Sequence, residues 1–162
     1  DISGMTNPAA LEAVASSSCA VCVMHMQGEP GWMQRAPSYD DVYAEVRTFL
    51  AAAITRCRSS GVALNRLVVD PGFCFGKTLQ HNLSLFSRLA ALSAEQPPVL
   101  VGMSRKSMLG TITGQPVERR LVASVAAAML AAQKGAKILR VHDVAETRDA
   151  LAVWSALENG EK

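Results

Sequence analysis

Leu67-Val68-Val69-Asp70-Pro71-Gly72-Phe73-Cys74-Phe75-Gly76-Lys77 decides the fold, because a short β-branched run stops at a carboxylate and turns at once through Pro-Gly. A strand buried on both faces stays apolar until its loop, so an acid in its last place sets a charge at the carboxyl-end rim of a sheet. Two readings of Asp70 stand side by side. It caps the turn, as Asp does before Pro-Gly, or it faces something that needs the charge.

Working outward, runs of the same kind recur at Ala20 to Met24, Val99 to Met103 and Lys137 to Val141. Segments with helical periodicity separate them, and the alternation is βαβ with parallel strands. From Tyr39 to Arg58, Val42, Val46, Phe49, Leu50, Ala53, Ile54 and Cys57 fall on one stripe, while Asp40, Glu45, Arg47 and Arg56 face water. Ser38 with Asp41 resembles a capping box, and Gly61 is the stop. Asn7-Pro8 opens a shorter helix through about Val14. Thr78 or Gln80 starts another, with Leu85, Phe86, Leu89 and Leu92 buried, and Pro97-Pro98 ends that crossover. Alanine-rich Val117 to Gln133 closes at Gly135, and Asp143 with Glu146 caps a last helix to Leu157.

These units fit either a doubly wound sheet or part of a TIM (β/α)8 barrel. A whole barrel takes about 250 residues, so this chain would supply about four βα units. No Gly-x-Gly-x-x-Gly follows a strand, and there is no P-loop.

The 162 residues suit one domain, and 49% are apolar, enough for a sizeable core. Sixteen basic against fourteen acidic side chains, with no long basic run, give no nucleic-acid or membrane-surface signal. Neither a membrane span of roughly 20 apolar residues nor a signal peptide is read, so the cytoplasm is the expected compartment. Cys19-Ala-Val-Cys22 is read as a pair of buried reduced thiols, since Cys22 lies in a strand-like run and no second ligand pair accompanies it.

Chemistry gathers at the strand ends. The rim residues are Met24-His25-Met26-Gln27-Gly28, Asp70 to Lys77, Gly102-Met103-Ser104-Arg105-Lys106-Ser107, and Arg140-Val141-His142-Asp143. In α/β folds ligands bind beyond the carboxyl ends of strands. Arg140 and His142, two apart on a strand, share a face and make an anion clamp, unless Arg140 only pairs with an acid such as Asp70. The basic loop around Lys106 follows a buried strand, and Gly102 lets a flat ligand reach the backbone. Phe73 and Phe75 either cover an aromatic ligand or fold back on the core. His25 and His81 lack a carboxylate or second-His partner for a metal, and His81 is read as a helix-surface residue.

Together these four motifs, in order, resemble the dihydropteroate synthase family: Met-His-Met-Gln-Gly, Asp-Pro-Gly-Phe-x-Phe-Gly-Lys, Gly-x-Ser-Arg-Lys-Ser and Arg-x-His-Asp. The resemblance implies condensation of a dihydropterin diphosphate with p-aminobenzoate, releasing pyrophosphate with Mg²⁺ as cofactor. It implies that Met24, Asp70, Gly102, Lys106 and Arg140 bind pterin, and that Phe75, Lys106 and Ser107 shape the aminobenzoate pocket. Arg140 and His142 would hold the diphosphate, and Lys106, Asp70 and Arg140 would act in catalysis. A homodimer through the later helices is implied as well.

Cys74 stands where the family has glycine. The likeness covers the C-terminal half of the barrel, with Asp1 at the end of the fourth barrel strand and residues 1–162 as one pterin-binding domain. The family's N-terminal strands and loops, including a metal-binding Asn, have no match, so no metal ligand is expected in this chain. Half a site and two open sheet edges are expected, and no turnover by the chain alone. The alternatives are another pterin-binding barrel, such as a methyltetrahydrofolate methyltransferase, and a non-catalytic half-barrel.

Overall fold

In the computed structural model, which describes residues 1–95 and 97–160, four parallel strands follow one another in sequence order. They are β1 (Val21–Met24), β2 (Leu67–Asp70), β3 (Leu100–Val101) and β4 (Ile138–Leu139). β1 pairs with β2 from Val21↔Leu67 to Met24↔Asp70. A bridge between Val69 and Val99 carries the array to β3, and β3 pairs with β4. Beyond β1, the Asp1 amino group donates to the Cys22 carbonyl and the Met24 N–H donates to the Asp1 carbonyl, which continues the same ladder.

Helices fill the crossovers: α1 (Pro8–Ala15), α2 (Val42–Ser59), α3 (Leu79–Ser87), α4 (Leu89–Ser93), α5 (Ser107–Thr113), α6 (Leu121–Gln133) and α7 (Val144–Asn159). Strand, helix, then parallel strand, repeated in order, is the plan of a (β/α)8 barrel, here as four consecutive units. Val23, Leu67, Val99, Val46, Leu85, Leu89 and Phe73 are almost fully buried between the strands and the helical layer.

Several local readings are corrected. β3 and β4 are shorter than their apolar runs, although the Lys137 and Arg140 N–H groups still donate to Val99 and Val101. α2 begins at Val42 because Asp41, not Ser38, caps it, accepting from the Tyr43 and Ala44 N–H groups. Glu45 folds back to accept from Asp40 and Asp41. Arg56 is partly buried and donates to the Gly4 carbonyl, so it does not simply face water. The crossover after β2 breaks at Arg88 into α3 and α4. His81 is no bystander, because its Nδ1 accepts from the Thr78 N–H while Thr78 Oγ1 accepts from the His81 N–H. Residues 117–119 form a separate 3₁₀ turn ahead of α6. Asp143 occupies the cap position of α7 without capping it, since its carboxylate is drawn to Arg105. Cys19 is exposed and Cys22 half-buried, so the pair is not sequestered, although all four thiols are free.

Candidate functional site

The β2 loop is built by close approach. A Cβ on Gly72 would lie 1.8 Å from the His25 carbonyl oxygen, and one on Gly76 would lie 2.2 Å from that of Gln27. Both glycines have left-handed backbones, at φ 68° and 61°, so no other residue fits there without strain. Cys74 also sits at φ 65°, at a cost of roughly 1–2 kcal/mol that a glycine would avoid. Its N–H is held by Asn82 Oδ1 at 2.8 Å, and Asn82 Nδ2 donates in turn to the Lys77 and Thr78 carbonyls.

Asp70 caps the turn and keeps one carboxylate oxygen free of protein partners among the described residues: Oδ1 accepts the Gly72 N–H at 2.8 Å, while Oδ2 has no hydrogen-bond partner. Burial pushes its carboxyl pKa up, opposed by the Gly72 N–H and by the positive charges of Lys106 and Lys77. The two loop phenylalanines part company. Phe73 is completely buried near Phe86, whereas Phe75 is half-buried with Lys106 Nζ 4.6 Å from its ring centroid.

Lys106 reaches this loop from the start of α5, donating to the Phe73 carbonyl at 2.7 Å. Burial lowers its pKa, with Cys74 and Asp70 opposing and Arg140 adding to the fall. Its neighbour Arg105 has a left-handed backbone, φ 60°, pinned by Ser124 Oγ on its N–H and Arg120 on its carbonyl. Arg105 also pairs with Asp143 at 2.5 Å across the neighbouring unit.

Arg140 and His142 lie past the end of β4, so strand alternation does not set their directions. They are gathered by the β3 loop instead. The Arg140 Cβ lies 3.6 Å from where a Gly102 Cβ would be, and the His142 N–H and Nδ1 both pair with Ser104 Oγ. Both side chains are exposed, and Arg140 makes no ion pair with Asp70. Met24 is buried beneath Gly72. Ser107 is exposed, and among the described residues its hydroxyl meets none of these groups.

His25, Lys77 and Asn82 are all buried beneath the β2 loop; the sequence places His25 and Lys77 on the rim but gives no sign of their burial, and Asn82 has no sequence signal. Among the described residues no group of three or more His, Cys, Asp or Glu side chains could hold a metal ion.

A half-buried carboxylate, a half-buried ammonium donor and a half-exposed ring thus come together, with an exposed cation and imidazole alongside. Residues 1–142 match the family model described as pterin binding enzyme. The chain belongs to that pterin-binding family. It is 51% identical over 156 residues to the dihydropteroate synthase of Escherichia coli, covering 96% of this chain and 55% of that protein. With the Haemophilus influenzae enzyme it shares 46% over 159 residues, covering 98% and 58%. A crystal structure of Yersinia pestis dihydropteroate synthase with a sulfonamide drug complex superposes with a TM-score of 0.94 at 46% identity, covering 98% of this chain and 58% of that one. The Stenotrophomonas maltophilia enzyme, with imidazole in its active site, gives 0.93 at 48%, covering 98% and 60%. The chain thus spans a little over half the length of the relatives it matches.

Proposed function

We propose that this chain forms the pterin-anchoring and anion-holding side of a dihydropteroate synthase, which joins 6-hydroxymethyl-7,8-dihydropterin diphosphate to p-aminobenzoate and releases pyrophosphate. The observation that carries this reading is the position of Lys106, bonded to the Phe73 carbonyl, set over Phe75 and in electrostatic contact with Asp70. One side chain thereby joins a carboxylate suited to a ring of N–H donors and an aromatic wall suited to a second ring.

In this reading Asp70 Oδ2 accepts from the pterin's ring N–H and amino group, and Lys106 donates to a pterin oxygen or nitrogen. Met24 and Gly102 line the slot, and Phe75 with Ser107 borders the aminobenzoate. The methylene C–O bond to diphosphate breaks, a C–N bond to the aniline nitrogen forms, and that nitrogen gives up a proton. Arg140 and His142 stabilise the departing anion, while the fixed carboxylate balances the electron-poor ring.

The reading extends to a homodimer, supported by the exposed apolar residues Leu121, Val122, Val144, Val153 and Leu157 on the later helices. Cytoplasmic residence belongs to it too, in keeping with four free cysteines. Among the described residues no helix is long and apolar enough to cross a membrane. Mg²⁺ as the cofactor of the reaction belongs to the reading as well.

Calorimetry of the chain with the hydroxymethyl-dihydropterin and with pyrophosphate tests the proposal. Saturable binding of both is expected. Binding of neither would leave only an inert scaffold and refute it.

A further inference from the structure

Beneath the β2 loop lies a buried lysine that none of the roles above uses. Lys77 is 3% exposed, and its Nζ meets three acceptors: the Gly72 carbonyl at 2.9 Å, the Phe75 carbonyl at 3.1 Å and His25 Nδ1 at 2.9 Å. The two carbonyls lie three residues apart on the turn that carries Phe75, and His25 follows directly after β1. One amine therefore ties both ends of that turn to the neighbouring strand. His25, 5% exposed, is itself fixed edge-on against Phe49 at 4.9 Å.

We propose that Lys77 is a positioning residue which, braced by His25, holds the Gly72–Phe75 turn so that Phe75 faces Lys106. The proposal rests on the reading of Phe75 as the aminobenzoate wall. It bears less on Asp70, whose backbone is held by the β1–β2 ladder although its Oδ1 accepts from the Gly72 N–H.

The partner set explains how a charge-bearing side chain can sit there. An ammonium donates three hydrogen bonds to two carbonyls and an unprotonated Nδ1. An uncharged amine donates two and accepts the third from an Nδ1–H tautomer of His25. Either form leaves nothing unpaired, so the tie survives loss of the proton. Burial first, then the charge of Lys106, pulls the Lys77 pKa down to about 7, with Asp70 and Cys74 opposing. Burial and the Lys77 charge hold His25 at about 3. The groups facing the pair are thus Asp70 from β2, Cys74 in the loop and Lys106 from the start of α5, with the Tyr39 ring 5.9 Å from Nζ.

The test uses Lys77→Met, which keeps the length and removes every donor. In the ligand-free chain, amide hydrogen exchange over residues 72–76 should quicken about tenfold while β2 and α3 keep their protection. Affinity for p-aminobenzoate should fall about tenfold, as expected for loss of a buried, charge-assisted tie, while dihydropterin affinity moves less than about twofold. A merely destabilised protein would lose both ligands together. If Lys77→Met does not fold, His25→Phe keeps the ring against Phe49 and deletes one of the three bonds. It should quicken exchange in the same segment by a smaller factor. Unchanged exchange over residues 72–76 in the folded variant, or equal loss of both ligands, overturns the proposal. If the unmodified chain binds neither ligand, the functional reading fails, and the exchange measurement still decides the role of Lys77.

Discussion

At the end of β2 the polar groups lie largely out of water and are tied down: Lys77 to three acceptors, Lys106 to the Phe73 carbonyl, and one Asp70 oxygen to the Gly72 N–H. At the end of β4 the reverse holds. Arg140 and His142 stand in solvent, and what fixes them is Ser104 on the imidazole and Gly102 beside the Arg140 stem. The difference matches what each rim would hold under the proposed function. A flat ligand recognised by a few directed hydrogen bonds needs donors and acceptors preset in a low dielectric, where each counts for more. A diphosphate that must leave is served by exposed cations, whose pull is weaker and screened by salt.

The largest expected effect falls on the buried side. Lys106→Met removes the group that the proposed function places between both ring pockets, and affinity for dihydropterin and for p-aminobenzoate should each drop by roughly 30- to 100-fold in calorimetry. Loss at only one ligand would show that the two pockets do not meet at Lys106.

Stability against pH should sharpen the contrast next. Lys77 has a depressed pKa in the fold, about 7 against the ordinary 10.5, so the unfolded chain holds more protons between those values. Stability should rise with pH across that window, by roughly 5–10 °C in Tm, and the lysine should add no further change below about pH 7, where both states hold its proton. His25, depressed to about 3 from 6.5, adds a second loss as pH falls from 6.5 towards 3. Thermal melts of Lys77→Met should depend less on pH from about 7 to 10 than those of the wild type, with the remainder coming from Lys106, whose pKa burial also lowers. A wild-type melting curve equally flat would contradict the burial of the amine.

On the open rim the effects are smaller. Arg140→Ala should weaken pyrophosphate binding about tenfold at low salt and by less at high salt, leaving dihydropterin within a few-fold. Arg105→Ala deletes an ion pair whose arginine is 43% exposed, and the cost should stay under about 1 kcal/mol, a Tm change of roughly 2–4 °C at most. A larger drop would mean that this pair carries the β3 loop.

The strand ends were legible because burial on both faces writes an unbroken apolar run, and the run ending at Asp70 marked the rim directly. Asp70, Phe75 and Lys106 are brought together as the motif order implied. What stayed hidden depends on contacts distant in sequence. Nothing local shows that Lys77 is buried, because its acceptors exist only once the turn has closed on β1. Asp143 reads as a helix cap until Arg105, 38 residues away, competes for its carboxylate. Phe73 and Phe75 look equivalent in sequence, and only the packing of Phe73 near Phe86 separates the core ring from the site ring. Around α2 the competition was local: both Ser38 and Asp41 can cap, and the backbone geometry at Asp41 decided it.

The most direct measurement is a calorimetric titration of the chain with 6-hydroxymethyl-7,8-dihydropterin, run beside Asp70→Asn. That substitution keeps the shape, retains an oxygen for the Gly72 N–H, and replaces the charged acceptor with a neutral amide. The wild-type chain should bind saturably, and the variant should lose at least about 100-fold in affinity while melting within a few degrees of it. Equal affinity in the two proteins would contradict the assignment of Asp70 as the pterin anchor.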